Sequence, residues 1–325
     1  MIKYVSIYSI LNNKGKIMDS KLVFYILKRL GLAILTIFLV ITITFFAMNA
    51  IPGGPFLAER SPSPEVIAIL EAKYGLDKPV GEQYINYLKG LISFDFGPSI
   101  KQRGREVIDI ITEGFKNSAK IGGIAALLAV ASGITLGSVA AIKRNKWADK
   151  TIMVASTAFV AMPSFIIATL LLILFCLEIP IFPARGDTFA GLILPIFALS
   201  LYPMSYITRL TRSSMLDVLG QDYIRTARAK GVEAKKVIYK HALKNALIAV
   251  ITYIGPMIAY ILTGSLVIEK IFSVPGLGRA FINSITNRDY TMIMGTTIFL
   301  ATLVILMNLV TDILYKFVDP RIDFS

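Results

Sequence analysis

Six stretches of this 325-residue chain stay apolar long enough to cross a bilayer, and they constrain its fold more than any other feature. They are Leu30–Ile51, Ala119–Ile142, Ile152–Leu177, Phe189–Ile207, Ala246–Ile268 and Met292–Leu314. A hydrocarbon core of about 30 Å takes about 20 helical residues. Inside it each backbone N–H and C=O must be satisfied within protein, which leaves helices or closed barrels. Unbroken runs of this length predict helices, and hence an all-α polytopic membrane protein with six spans. The fourth run contains Pro195 and Pro203. Membrane helices tolerate prolines when neighbouring helices satisfy the freed carbonyls. Leu30–Ile51 is too long for the core of a secretory signal, and no small-x-small cleavage site ends it, so it reads as a retained first span.

Charge placement orients the spans. With the N-terminus inside, the inner loops hold nine Lys/Arg in residues 208–245 and four in Lys143–Lys150, with few acids opposing them. The outer loops carry acids and bases in near balance. This is the positive-inside pattern, and it places both termini in the cytoplasm. The formal charge of +13 is therefore read as membrane flanking. The cations form no aromatic-interleaved stripe of the kind that binds nucleic acid.

Several chemistries are excluded. Cys176 is the only cysteine, so an intrachain disulfide and a thiolate metal cluster are ruled out. His241 is the only histidine, which rules out a Ser-His-Asp triad within the spans and a His-rich zinc site. No Gly-x-x-x-x-Gly-Lys-Ser/Thr stretch exists to cradle a nucleotide. The chain is expected to be no enzyme and to bind no cofactor. Energy for transport must come from an ion gradient or a separate ATPase.

The outer segment after the first span shows local order. Ser63-Pro64-Glu65 reads as a helix start, with proline at the first helical position, and Gly75 as a stop. Gln83–Leu91 reads as a second short helix. Arg105–Phe115 gathers Val107, Ile110, Ile111 and Phe115 on one face. That face suits either the membrane surface or packing on other protein. In the second span, Gly122, Gly123, Gly133 and Gly137 predict close packing against other helices, a second permease-like chain included. Asn308 and Asp312 lie four apart on the last span. Asp312 is read as snorkelling or pairing with a loop cation near the inner end.

The loop over residues 208–245 is the most informative stretch. It reads Asp222-Tyr-Ile-Arg225-Thr-Ala227-Arg228-Ala229-Lys230-Gly231, then Val-Glu233 and on through His241 to Asn245. Alanines and long side chains favour helix, cations suit its last turn, and Gly231 can take the left-handed conformation that ends it. Glu233 then opens a second helix. Two helices joined at a glycine bend make a rigid elbow that can pass a push from a soluble partner to the flanking spans.

This loop resembles the EAA loop of ABC importer permeases, with Ala227, Ala229, Gly231, Ile238, His241 and Leu243 in the motif positions. The usual glutamate start is replaced by Arg225-Thr226-Ala227-Arg228, as in the peptide group, and Ala249 stands where the family often has proline. Further matches run along the chain: Pro52-Gly-Gly-Pro-Phe56 with Glu59-Arg60, Asp95-Phe-Gly-Pro-Ser99, Pro163-Ser-Phe165, Arg209-Leu-Thr-Arg-Ser213, Val267-Ile-Glu269, Pro275-Gly-Leu-Gly278, Asn287-Arg-Asp-Tyr290 and Asp319-Pro320. The chain resembles oligopeptide-type permeases of ABC importers over nearly all of its length after residue 20.

The resemblance implies a type I ABC importer permease fold in the cell membrane of a bacterium or archaeon. Its implied partners are a second homologous permease, two cytoplasmic ATPase subunits that use ATP and Mg²⁺, and an extracytoplasmic oligopeptide-binding protein. The chain then divides into a lead (1–29), a first span (30–51), an extracytoplasmic segment (52–114), a five-helix transmembrane domain (115–315) and a tail (316–325). Arg225, Ala227, Arg228, Ala229, Lys230, Gly231, Glu233 and His241 form the expected ATPase-coupling loop, with His241 an interface residue and no proton carrier. Thr252, Tyr253, Tyr260, Thr263 and Ser265 put polar groups along the fifth span and are candidate pathway-lining residues. An ion-coupled secondary transporter would carry several buried charges and an inverted repeat, and neither is present. A scaffold without a substrate path is the third class.

Overall fold

A computed structural model describes residues 2–52, 54–56 and 63–318, with side-chain detail from Phe24 onward except at 263–264 and 313–318. Glu59-Arg60, Asp319-Pro320, most of the expected tail and the Thr263 side chain lie outside this description. The described residues form helices and loops with no strand. A first helix, α1 (Ile2–Ala50), carries a span over Phe24–Ala50 and extends back through the lead. The outer segment holds α2 (Pro64–Tyr74) and α3 (Val80–Ile92). As the sequence predicts, Pro64 opens α2, and Gly75 closes it at a φ of +66°.

Next comes α4 (Val107–Ile142), 36 residues without interruption. The stretch Arg105–Phe115 is therefore no separate surface helix, but the loop lead-in and outer end of α4. Val107, Ile110 and Ile111 are buried there against Leu277 and Met292, so their apolar face packs on protein.

The third predicted span is broken. It comprises α5 (Trp147–Ala161) and α6 (Ser164–Leu172), the latter continued by a π-helical turn (Ile173–Glu178), and the two arms meet at 102°. Proline disfavours the α conformation in the residue before it, and Met162 accordingly sits at φ −83° and ψ +131° ahead of Pro163. α7 (Phe189–Leu219) spans 31 residues with Pro195 and Pro203 buried inside it, and at 1.5 Å per residue reaches roughly 46 Å. It therefore projects past the bilayer core.

Beyond α7 come α8 (Asp222–Ala229), α9 (Ala234–Lys236), a π-helical stretch (Val237–Leu243) and α10 (Lys244–Ile271). α11 (Leu277–Asn287) and α12 (Tyr290–Val318) complete the fold. Five helices are long and apolar enough to cross a membrane, and counting the bent α5–α6 pair as one span makes six.

Glycines bring α4 and α7 close together. A Cβ on Gly137 would lie 2.5 Å from the Thr208 carbonyl oxygen, and one on Gly133 would lie 2.7 Å from Ile207 Cγ2. α4 and α7 thus meet almost backbone to backbone, with Ala125 and Ala129 extending the small-residue stripe into the main core. The expected glycine packing is largely internal. Gly122 faces Ile261 of α10, and only Gly123 has no atom near the place of a Cβ.

Two ion pairs tie the inner ends of helices. Arg212 of α7 donates to both carboxylate oxygens of Asp149 at 2.6 and 2.8 Å, and Asn145 N–H donates to the same carboxylate at 2.9 Å. Arg29 of α1 meets Asp312 of α12 at 3.1 Å. Asp312 is thus paired, with a cation of the first helix and not of a loop.

Two outcomes are expected. Gly137→Leu should cost at least about 1–3 kcal/mol through overpacking and lower the thermal midpoint in mild detergent. Gly123→Leu should change stability by less than about 0.5 kcal/mol. Asp149→Asn should destabilise toward the lower end of about 3–5 kcal/mol, because Arg212 keeps 24% of its side chain exposed. Replacing both partners, as in Asp149→Leu with Arg212→Met, should recover part of that loss.

Candidate functional site

At the end of the bundle beyond α7, α8 packs on the π-helical stretch Val237–Leu243 and carries one wholly buried residue, Ile224. Its C-terminus is closed by two backbone bonds. Gly231 N–H donates to Arg228 O at 2.9 Å and Val232 N–H donates to Ala227 O at 3.1 Å. This pair is the Schellman arrangement, which requires a left-handed residue at its bend, and Gly231 has a φ of +76°. A Cβ at Gly231 would touch nothing within 4 Å, so only backbone strain opposes a larger residue there.

The rest of the loop departs from two separate short helices. After Glu233 the chain is helical without a break from Ala234 to Ile271, through the π-helical stretch that contains His241. The elbow is therefore the leading end of α10. Val237 and Ala242 are buried, the latter against Met215 and Ala141. Asn245 Nδ2 donates to Tyr223 Oη at 2.7 Å, bracing α8 against α10. Arg225, Arg228, Ala229, Lys230, Gly231 and Glu233 are exposed, whereas Ala227 and His241 are half-buried. The result is a knuckle with a basic outer edge and a fixed backbone.

A second feature lies deeper. Tyr202 and Tyr206, one turn apart on α7, stack on Tyr260 and Tyr253 of α10. Ring centroids are 4.5 Å apart in the first pair and 4.2 Å in the second, with planes within 30°. The four rings form a strip between the helices, and Tyr206 is exposed along it. The sequence pointed to the α10 pair but missed Tyr202 and Tyr206, whose i, i+4 spacing was the available signal. Thr252 is half-buried and its hydroxyl donates to Ala249 O. Ser265 is only 3% exposed and its hydroxyl donates to Leu262 O, so it faces this chain's own helices.

The opposite end of the bundle is held by side chains that cap helix starts. The residue that starts α11 is Gly276, which has no side chain to cap the helix. Two other helices supply the acceptors. Ser118 Oγ of α4 accepts from Leu277 N–H at 2.9 Å, and Glu269 Oε2 of α10 accepts from Gly278 N–H at 2.8 Å. Asp289 plays the matching part for α12. It accepts from Met292 N–H and, across the chain, from Ser99 Oγ, Ile100 N–H and Lys101 N–H. The loop matches Asp95–Ser99 and Asn287–Tyr290 noted in the sequence thus meet in space. Among the described residues no group of His, Cys, Asp and Glu is placed to hold a metal ion.

Known proteins share this sequence and fold. Residues 133–324 match the family described as binding-protein-dependent transport system inner membrane component, and residues 22–126 match the N-terminal family of the same membrane components. The dipeptide transport system permease protein DppB of Bacillus subtilis is 48% identical, covering 92% of this chain and 97% of that protein. The oligopeptide transport system permease proteins OppB of Haemophilus influenzae and Escherichia coli are each 44% identical, covering 92% of this chain and 99% of theirs. A solved chain from an amino acid ABC transporter with histidines superposes with a TM-score of 0.50 at 14% identity, covering 66% of this chain and 95% of that one, which is a likeness of fold. With five to six candidate spans and these matches across nearly its whole length, the chain belongs to the inner membrane components of binding-protein-dependent transport systems and is a multi-pass transport permease.

Proposed function

We propose that this permease forms half of the translocation pathway of an ATP-driven peptide importer and is coupled to cytoplasmic ATPase subunits through the knuckle at Gly231. The observation that carries the coupling is helical continuity. A body pressing on the exposed edge Arg225–Gly231 bears on α8, which packs on the π-helical stretch and is braced to Asn245 through Tyr223, and so on the unbroken run Ala234–Ile271 and a wall of the bundle. Peptides are the proposed solute because the relatives matched at full length are named for dipeptide and oligopeptide transport. The tyrosine strip is the proposed lining. Tyr253 and Tyr260 offer aromatic faces with hydroxyl tips, which suits peptides of varied side chains, and Thr252 lies on the same helix.

The remaining partners follow from this reading. A second homologous permease supplies the other half of the path. Two ATPase subunits bind ATP and Mg²⁺ in the cytoplasm, and an extracytoplasmic binding protein delivers the peptide. The knuckle, the Lys143–Lys150 loop and both termini face the cytoplasm of a bacterium or archaeon, and the segment after α1 faces outward. The clustered cations serve this orientation and the ATPase contact, with no nucleic-acid partner.

Coupling is tested by Gly231→Val. Forcing a β-branched residue to positive φ costs at least about 1–2 kcal/mol, and the strain falls on the exposed knuckle. Membrane abundance should stay near normal while co-purifying ATPase or ATP-driven peptide uptake falls severalfold. Retention of both would remove the knuckle as the coupling element. Arg228→Glu and Lys230→Glu should weaken ATPase retention by charge reversal without altering abundance. Orientation is tested in a Cys176→Ser background. A cysteine at the exposed Lys101 position should react with an impermeant thiol reagent on intact cells, and one at Asn145 only after permeabilisation. The opposite labelling would invert the topology.

A further inference from the structure

The helix α3 follows the first span in sequence, yet it packs beside that span and not beyond its end. Tyr84 of α3 shares a hydroxyl–hydroxyl hydrogen bond of 2.6 Å with Thr42 of α1. Thr42 lies inside the apolar run and about 12 Å along the axis from the end of α1 at Ala50. Tyr84 also meets the rings of Phe45 and Phe46, at centroid distances of 5.2 and 5.3 Å. Phe46 is itself exposed, so α3 borders the face that α1 turns to lipid. Three stripes run along α3. Tyr84, Tyr87 and Leu91 are half-buried and join the apolar cluster of α1 and α12. Glu82, Asn86 and Lys89 form an exposed polar stripe. Between these stripes Ile85 and Ile92, two turns apart, are 53% and 82% exposed.

The end of α3 carries an independent sign. Phe94 N–H donates to Leu91 O at 3.1 Å and Asp95 N–H donates to Gly90 O at 2.9 Å. This is a Schellman closure, whose bend residue is usually glycine. Here the bend residue is Phe94, at a φ of +58° and 79% exposed. A bulky side chain at positive φ is strained, and such strain gathers where a side chain has work to do. Left in water, Phe94 would combine a strained backbone with an exposed ring.

We infer that α3 and its closing turn are half-embedded in the membrane leaflet at this end of the bundle, with Ile85, Ile92 and Phe94 among the acyl chains. Glu82, Asn86 and Lys89 then lie toward headgroups and water. An amphipathic helix binds an interface in this way, with a strength that grows with the apolar area it buries. The occupant is lipid because the exposed stripe continues the lipid-facing surface of α1, at a level that the Tyr84–Thr42 bond fixes. Only 11% of the best apolar window of α1 is buried inside the protein, so that surface is broad. The anchored turn leads directly into the loop Asp95–Ser99, where Ser99 donates to Asp289 at the start of α12. The membrane thus holds one side of this loop and Asp289 the other. Which leaflet is involved rests on the proposed orientation, whereas the embedding itself does not.

The test places the photoreactive residue p-benzoylphenylalanine at Ile85, Ile92, Phe94, Glu82 or Asn86, one position at a time, in the full chain. The chain is expressed with its co-purifying subunits and binding protein in cells grown on radiolabelled fatty acid. Leu35 and Ile43, exposed on α1, serve as the lipid-facing reference. After illumination, lipid adducts at Ile85, Ile92 and Phe94 should approach the reference and exceed those at Glu82 and Asn86 severalfold. Yields at Ile92 and Phe94 no higher than at Glu82 and Asn86 would overturn the inference. So would cross-linking of these positions to the binding protein or to another permease in preference to lipid. A second variant separates anchoring from folding. Phe94→Asn keeps a residue that tolerates positive φ, so membrane abundance should hold while lipid adducts from Ile92 fall severalfold as the turn lifts. Unchanged adducts from Ile92 would show that Phe94 is not seated in lipid and would also overturn the inference. None of these readings depends on transport, so a failed membrane anchor and a failed importer assignment give different results.

Discussion

The near-contact of α4 and α7 at Gly133 and Gly137 is the constraint on which the rest of the bundle hangs. In a bilayer, apolar side chains gain little by meeting each other, since lipid tails are equally apolar. Close backbone approach gains dispersion contacts that lipid cannot match. Once α4 and α7 are locked, α7 becomes the hub. Its inner end holds α5 through Arg212 and Asp149, and its middle carries α10 through two stacked tyrosine pairs. Pro195 and Pro203 sit buried within this hub, where neighbouring helices surround the freed carbonyls.

The outer end follows a different rule. Helix starts leave N–H groups unmet, and here the acceptors come from elsewhere in the chain. Ser118 and Glu269 cap α11, so three helices converge on one helix start. Asp289 caps α12 while gathering the loop around Ser99. Glu269 Oε2 accepts from a backbone donor, and Asp289 accepts from backbone donors and from the Ser99 hydroxyl. They therefore hold the outer loops in register without an exposed ion pair that salt would screen.

Much of this was legible in the sequence, because membrane burial writes itself as length and apolar runs. Six spans, the start and stop of α2, and the positive φ of Gly231 all follow from local chemistry. The misses share a cause. Arg105–Phe115 carries a clean apolar face, but nothing local states that α11 and α12 cover it, so surface and protein packing look alike. Pro163 marks a bend, yet its 102° angle depends on where α6 finds neighbours. The cap from Ser118 is invisible for the same reason, since it sits 159 residues from the Leu277 N–H that it accepts from. Tyr202 and Tyr206 were missed because tyrosine in a span is unremarkable until its partner across the interface is known.

The same connections suggest how a push at one face reaches the other. The knuckle leads into one helical run from Ala234 to Ile271, and Glu269 near its far end caps α11. A displacement entering at Gly231 therefore arrives at the outer loop through a single element and one carboxylate contact. Two features keep that run from being a rigid rod. The π-helical stretch Val237–Leu243 lacks the regular hydrogen-bond ladder, and Pro256 removes one more donor midway. Between them Tyr253 stacks on Tyr206, and beyond Pro256 Tyr260 stacks on Tyr202. Stacked aromatic faces resist separation more than lateral shift, so α10 can move along α7 without leaving it. That geometry suits an element which must transmit displacement while the α4–α7 core stays fixed.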